Sequence, residues 1–173
     1  RVRLYDSTPQ HRDNFLRLVR EGFYDSLLFH RVIRDFIVQG GDPDSRRAAP
    51  GQLLGNGGPG YELPPEIQAP HFRGALSAAR LPDRVNPDRK SNGSQFFIVH
   101  GRPQTDATLQ QWEQRLGITY SPQWKTKYKQ LGGAPQLDGQ YTVFGELVSG
   151  CDILARIAAV PRDGNDRPLE DIR

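Results

Sequence analysis

Five short apolar runs, LLFHRVI, DFIVQGG, GALSAA, SQFFIVH and YTVFGELV, are each bounded by Gly, Pro, Asn or Asp, and they narrow what this chain can become. Runs of this length between turn residues read as strands. Serial short strands pack as an antiparallel sheet or barrel. The opening RVRLYD alternates and adds one more. With 18 Gly and 14 Pro in 173 residues, the connections are expected to be loops.

Helices are fewer. STPQHRDNFLRLVREG has Thr8 as N-cap, Pro9 at the first helical position and Gly22 just past the end. At 100° per residue Phe15, Leu16, Leu18 and Val19 fall on one arc and Asp13, Arg17, Arg20 and Glu21 on the other, so this helix covers a core with one face. VSGCDILARIAAV reads as a late helix, apolar at Ile153, Leu154 and Ile157. Between SQFFIVH and YTVFGELV lie two further short helices, ATLQQWEQRLG and SPQWKTKYKQLGG, the second opened by Ser121 and Pro122 and both closed by glycine. This segment, about 102 to 135, is read as an insertion into a single domain spanning 1–173. Its Trp112, Trp124, Tyr120 and Tyr128 are expected to pack locally as a cap.

Charge excludes some roles. The formal balance is +3, from 23 basic and 20 acidic residues interleaved along the chain, with no basic arm or stripe; nucleic acid is not the expected partner. No stretch approaches the length of a membrane span. The single Cys151 forms no internal disulfide, so packing must hold the fold, and a monomer is expected. The compartment stays open between bacterial cytoplasm and periplasm, a periplasmic or lipid-anchored form being slightly favoured.

Several motifs are weaker than they look. GNGGPG at 55 to 60 satisfies a dinucleotide fingerprint, but YELPPE follows it, and two prolines stop the helix that fingerprint needs. NGS at 92 to 94 reads better as a tight turn than as a glycosylation site. His11, His30, His71 and His100 have no metal-ligand spacing. RDGNDRPLED lacks the spacing of a calcium loop. No metal or cofactor is expected, and no Ser, Cys or Thr has a base paired to it that the sequence identifies.

Three segments carry a family resemblance: FHRVIRDFIVQGGDP (29 to 43), SNGSQFFIVHG (91 to 101) and LDGQYTVFGELVSG (137 to 150). In order and approximate spacing they resemble the cyclophilins, peptidyl-prolyl cis-trans isomerases. TPQHRDNFLRLV and GALSAAR resemble that family's first helix and central strand, and the helical insertion is similar to that of a bacterial subgroup. The resemblance implies a mainly β fold: an eight-stranded antiparallel barrel closed by two helices, with the peptide groove on its outer wall. It also implies a strand before Arg1 and another after Arg173. By alternation Phe96 and Ile98 then point into the barrel, leaving Gln95, Phe97 and Val99 outward, under the groove.

The implied reaction needs no nucleophile. Rotating an X-Pro bond breaks amide resonance over about 18–20 kcal/mol, and the twisted amide carries a localised lone pair on the prolyl nitrogen. A fixed cationic donor aimed there binds the transition state better than either planar isomer. Arg31 matches the family's catalytic arginine and Gln39 the glutamine that holds it and contacts the substrate backbone. An arbitrary arginine is usually a surface residue; only the motif context lifts Arg31 above that. Phe36, Ile37, Phe97 and Leu137 match the lining of the proline slot, though each alone would read as core. Gln95 matches a glutamine facing the substrate backbone. Ala79 and Arg80 fall where the family pairs main chain with peptide, and Gly55 borders the neighbouring pocket. Ile37 and Gln39 share one strand face and Phe36 does not, so the chain must turn before Ile37 for Phe36 to reach the groove.

Three positions depart from the family pattern. Gln136 replaces a tryptophan that contributes to cyclosporin binding, which implies weakened affinity for that macrocycle. Tyr141 replaces a histidine at the rim, and Ile37 a common methionine of similar volume. The expected partners are proline-containing peptides and unfolded protein clients, and the expected activity is X-Pro isomerisation that assists folding. The alternative is a proline-binding or chaperone module without turnover.

Overall fold

The computed structural model describes residues Arg1–Arg173. Eight strands appear: β1 (Val2–Leu4), β2 (Arg31–Ile33), β3 (Ile37–Gly40), β4 (Glu62–Leu63), β5 (Ala75–Ala78), β6 (Ser91–Asn92), β7 (Phe96–Val99) and β8 (Val143–Leu147). Six form one antiparallel sheet in the order β1-β8-β5-β7-β3-β2, and β4 pairs with β6 separately. The expected mainly β, antiparallel architecture is present, but its ladders do not run as a closed ring, because β1 and β2 are the two ends of the sheet. The open side of β2 is covered by the C-terminal segment: Val32 N donates to Asp166 O (2.8 Å) and Phe29 N to Ile172 O (2.9 Å).

Four helices complete the chain: α1 (Pro9–Arg20), α2 (Asp106–Leu116), α3 (Pro122–Gln130) and α4 (Cys151–Ala158). The two faces of the sheet follow the predicted alternation. On the inner face Val32 and Val38 pack against Leu154 and Ala158 of α4. Leu76, Ala78 and Phe144 meet Phe15 of α1 and Phe96, and Phe15 lies 5.6 Å from Phe96 and 5.4 Å from Phe144 between ring centroids. On the outer face Ile37, Phe97, Val99 and Val143 form a second buried layer with Ala75, Ala79 and Ala134. Both faces are therefore apolar, and the outer one is covered by the chain segment around Leu137 and Tyr141.

Local differences from the sequence reading have local causes. LLFHRVI is strand only from Arg31; Leu27 and Leu28 are buried outside the sheet, Leu28 N donating to Ser45 Oγ (3.0 Å). Val19 and Ile153 lie on the margins of their helical stripes and are about half exposed, while His11 takes the inner position on α1. Thr8 occupies the N-cap but its hydroxyl does not cap α1; it turns to Tyr5 O. The capping role falls to Glu66, whose carboxylate accepts from Gln10 N (3.2 Å) and His11 N (3.0 Å). Strands β4 and β6, of two residues each, are too short to leave an alternation signal.

The insertion joins the body through Arg102 and Gly133, which are bridged to each other, while Gly133 also bridges Phe72. Thr105 and Ser121 cap α2 and α3, and Gly117 ends α2 in the left-handed conformation. Leu109, Tyr120 and Tyr128 are buried together, with Trp112, Trp124 and Phe72 around them. Glycine is required at 133, where φ is +156° and an added Cβ would sit 2.4 Å from His71 O and 2.5 Å from the Tyr128 ring.

Candidate active site

The site grows from the β2–β3 hairpin. Residues Arg34 to Phe36 form its turn, with Asp35 at φ +62°, and Ile33 pairs with Ile37 to close it. The chain thus turns immediately before Ile37, as the placement of Phe36 in the groove demands. Phe36 O accepts from His100 N (2.9 Å) and Gly101 N (3.1 Å), which fixes the turn against the end of β7. Register then lines up the polar residues: Arg31 lies opposite Gln39, and Gln39 opposite Phe97.

A chain of side-chain hydrogen bonds follows from that register. Arg31 Nη1 donates to Gln39 Oε1 (3.4 Å), Gln39 Nε2 to Gln95 Oε1 (2.9 Å), and Gln95 Nε2 to Gly57 O (2.6 Å). Gln95 is buried and Arg31 remains 42 % exposed, so the relay has an anchored end and an end that faces solvent. On its other flank Arg31 Nε lies 3.9 Å from Asp166 Oδ2, and Asp166 also pairs with Arg162 (3.1 Å). Behind it sits His30, buried with neither ring nitrogen hydrogen-bonded; burial lowers its pKa, favouring the neutral ring.

Two adjoining pockets open beside this relay. One, of about 300 Å³, is lined by Arg31, Phe36, Ile37, Gln39, Ala79, Arg80, Phe97, Leu137 and Tyr141. The other, of about 640 Å³, includes Gln39, Gly55, Ala79, Arg80 and Gln95 together with the polar Asn56, Glu62 and Asn92. Six of the nine residues lining the smaller are apolar, and the guanidinium-bearing Arg31 and Arg80 line it too; the larger is lined mainly by polar residues and glycines. Eleven of the twelve residues singled out in the sequence line one or both pockets. Gln136, the twelfth, lies in a 3-10 turn (Pro135–Leu137) and lines neither.

One expected role changes. Ala79 N already donates to Gln95 O (2.9 Å) and Ala79 O accepts from Asn92 N (2.8 Å), so its amide is not free to pair with a peptide. The Arg80 main chain makes no hydrogen bond within the fold, as the expected pairing requires, and its side chain adds a second contact: the guanidinium sits 4.6 Å from the Tyr141 ring centroid, and Nε donates to Gln140 O (2.8 Å). With Asp83 at 2.6 Å and a side chain only 4 % exposed, Arg80 is a buttress of the pocket wall. Gly57 and Asp166 were not foreseen, since nothing in the sequence separates Gly57 from its glycine neighbours or brings residue 166 to residue 31. GNGGPG opens no helix, and its Gly57 serves as acceptor for Gln95 and Asn92. NGS is a turn: Asn92 Oδ1 accepts from Ser94 N and Gln95 N, both at 2.9 Å.

The fold also pairs serines with histidines, which the sequence did not reveal. His11 links Glu66 (2.7 Å) to Ser91 (2.9 Å), and His71 links Asp138 (2.9 Å) to Ser77 (3.1 Å). Both serines and both histidines are buried. The cavity of about 10 Å³ beside His11 holds no substrate. These arrays tie strands to loops and do not form nucleophilic sites.

With this geometry in place, likeness to known proteins is informative. The family model "Cyclophilin type peptidyl-prolyl cis-trans isomerase/CLD" matches residues 1–173. A Staphylococcus saprophyticus protein carrying a peptidyl-prolyl cis-trans isomerase name is 37% identical over 174 residues, covering 98% of this chain and 80% of its own length. Peptidyl-prolyl cis-trans isomerase CYP18-2 of Arabidopsis thaliana is 32% identical, covering 98% and 79%. A longer Streptococcus pyogenes protein, named as a bifunctional phosphatase and isomerase, is 35% identical, and the chain spans 33% of its length. Among solved structures, a Cryptosporidium parvum cyclophilin superposes with a TM-score of 0.70 at 28% identity, covering 98% of this chain and 83% of that one. The chain belongs to the cyclophilin-type peptidyl-prolyl cis-trans isomerases.

Proposed function

We propose that Arg31 is the catalytic group, that Gln39 holds it, and that the 300 Å³ pocket takes the prolyl ring of the substrate. The observation that carries this is the half-exposed Arg31 guanidinium beside a slot lined mostly by apolar residues; the other guanidinium there, of Arg80, is buried and engaged by Asp83 and Gln140. Phe36, Ile37, Phe97, Leu137 and Tyr141 surround the slot, and a pyrrolidine ring seated there brings its nitrogen toward the Arg31 side. As the amide twists, the nitrogen gains a lone pair and becomes an acceptor. The guanidinium, always charged and rigid, binds it most strongly at that point. Removing water from the slot strengthens the interaction.

Residues on the amino side of the proline extend over the larger polar pocket, where Gln95, Asn56 and Asn92 face them. The C. parvum cyclophilin was also solved in the presence of the dipeptide Ala-Pro, and X-Pro segments of peptides and unfolded proteins are the proposed substrates here. The chain acts as a single domain, 1–173, and as a monomer. The test is the cis-to-trans rate of a tetrapeptide with a central Ala-Pro bond. Arg31→Ala should lose about 10²–10³-fold in kcat, the loss seen when one preorganised transition-state donor is removed, while still binding the peptide. Wild-type protein that binds the peptide but adds nothing to the spontaneous rate would make the chain a binding module.

A further inference from the structure

The helical insertion reaches the substrate pocket through one buried carboxylate. Asp138 follows Leu137 and stands three residues before Tyr141, both of which line the pocket. Its side chain is buried and receives four hydrogen bonds. Oδ1 accepts from His71 N (2.8 Å) and His71 Nδ1 (2.9 Å); Oδ2 accepts from Tyr120 OH (2.8 Å) and Tyr128 OH (2.5 Å). Both tyrosines belong to the insertion, and neither lines the pocket. A buried carboxylate is tolerated only when its oxygens are satisfied. Here one oxygen depends on His71, outside the insertion, and the other entirely on the insertion.

The sheet side of the same group is the underside of the pocket. The His71 ring stacks on Phe97 (6.1 Å between centroids, 16° between planes) and meets Tyr141 edge-on (6.3 Å). Phe97 and Tyr141 in turn pack edge to face at 5.7 Å. His71 Nε2 reaches Ser77 in β5, so the imidazole spans from sheet to Asp138. Burial and the adjacent carboxylate raise both phenols above their ordinary pKa, which keeps them protonated donors.

We infer that Tyr120 and Tyr128 are positioning residues for the isomerase site: by satisfying Asp138 Oδ2 they set the wall formed by Leu137 and Tyr141, and through it the affinity for the prolyl ring. The inference rests on the proposed use of that pocket. Without the two hydroxyls, Oδ2 is left unpaired in the interior. The segment from Leu137 to Tyr141 then shifts to reach water, and the wall moves away from Phe97. Arg31 is held by Gln39 and Asp166 and makes no hydrogen bond to this segment, so the ring is gripped less tightly in ground state and transition state alike, which raises KM and spares kcat.

The experiment compares wild type, Y120F/Y128F, D138N, their combination and Arg31→Ala, using exchange of the Ala-Pro tetrapeptide and a thermal melt of each protein. Phenylalanine keeps both rings in the insertion's apolar cluster. A loss of folded protein lowers apparent kcat without moving KM; the positioning role predicts KM at least about fivefold higher with kcat within about twofold. The combined variant should cost less than the product of its parts, since both changes act on one oxygen. If the double phenylalanine variant does not fold, Y120F alone carries the test, with a smaller rise in KM expected. Unchanged KM in folded variants overturns the inference while leaving the site assignment intact. Wild-type turnover by Arg31→Ala overturns the site assignment itself.

Discussion

Replacing Gln39 by leucine separates positioning from catalysis at the Arg31 end of the relay. Gln39 makes two side-chain hydrogen bonds, a long one from Arg31 (3.4 Å) and a good one to Gln95 (2.9 Å). Hydrogen bonds to charged groups are worth ~1.5–3 kcal/mol at good geometry; length and the 42 % exposure of Arg31 place this one lower, at ~1 kcal/mol. Losing it leaves the guanidinium tethered only by the 3.9 Å contact to Asp166. The expected fall in kcat is therefore about 5–10-fold, well short of the ~10²–10³-fold loss when the guanidinium is deleted. Stability should drop by ~1 kcal/mol, because Gln95 Oε1 loses its donor but faces a pocket that water can enter. Peptide-exchange kinetics and denaturant unfolding read the two quantities separately. In the Gln39→Leu, Arg31→Ala double variant, a protein no slower than Arg31→Ala alone is expected. Fully multiplicative losses, or a single Gln39→Leu variant as slow as Arg31→Ala, would refute the claim that Gln39 works through Arg31.

Further expectations follow from the same contacts. Burial lowers the pKa of His11, His30 and His100 in the fold; the unfolded chain binds more protons once the pH falls below about 6.5, so stability declines from there downward. An unfolding midpoint unchanged between about pH 7.5 and 5 would contradict this. No titrating histidine lines the 300 Å³ pocket, and Arg31 stays charged, so kcat/KM should be flat from about pH 6.5 to 9. Glu66→Ala removes the acceptor for two backbone amides at the start of α1 and for the His11 ring; calorimetry should show ~2–3 kcal/mol lost, with KM unchanged. Gln136→Ala should leave peptide kcat/KM within about twofold of wild type, because residue 136 lines neither pocket.

The pocket was legible through the three family motifs, and only its strand residues, Arg31, Ile37, Gln39 and Phe97, also through period. Alternation alone assigned Phe97 and Val99 to one face and Phe96 and Ile98 to the other, and all four lie as assigned. The demand for a turn before Ile37 followed from the same two-residue period and is met at Asp35. Side-chain roles fared less well where a neighbour distant in sequence decides them. The guanidinium of Arg80 had no expected role, yet Tyr141, Gln140 and Asp83 hold it in the pocket wall. Thr8 reads as a helix cap, yet Glu66 is brought to the same amides and takes the role.

What the sequence determined by itself was the periodic and local part: short strands broken by glycine and proline, helices with Pro9, Ser121 and Gly117 at their ends, and three motifs that identify the family. These are properties of a few consecutive residues, set by backbone sterics and by which face meets water. Tertiary structure alone decided which buried polar groups find each other. Asp138 meets Tyr120, Tyr128 and His71, and Arg31 meets Asp166, across separations along the chain of up to 135 residues. A buried charge must be satisfied by whatever donors the fold places around it, and no local pattern records which those are.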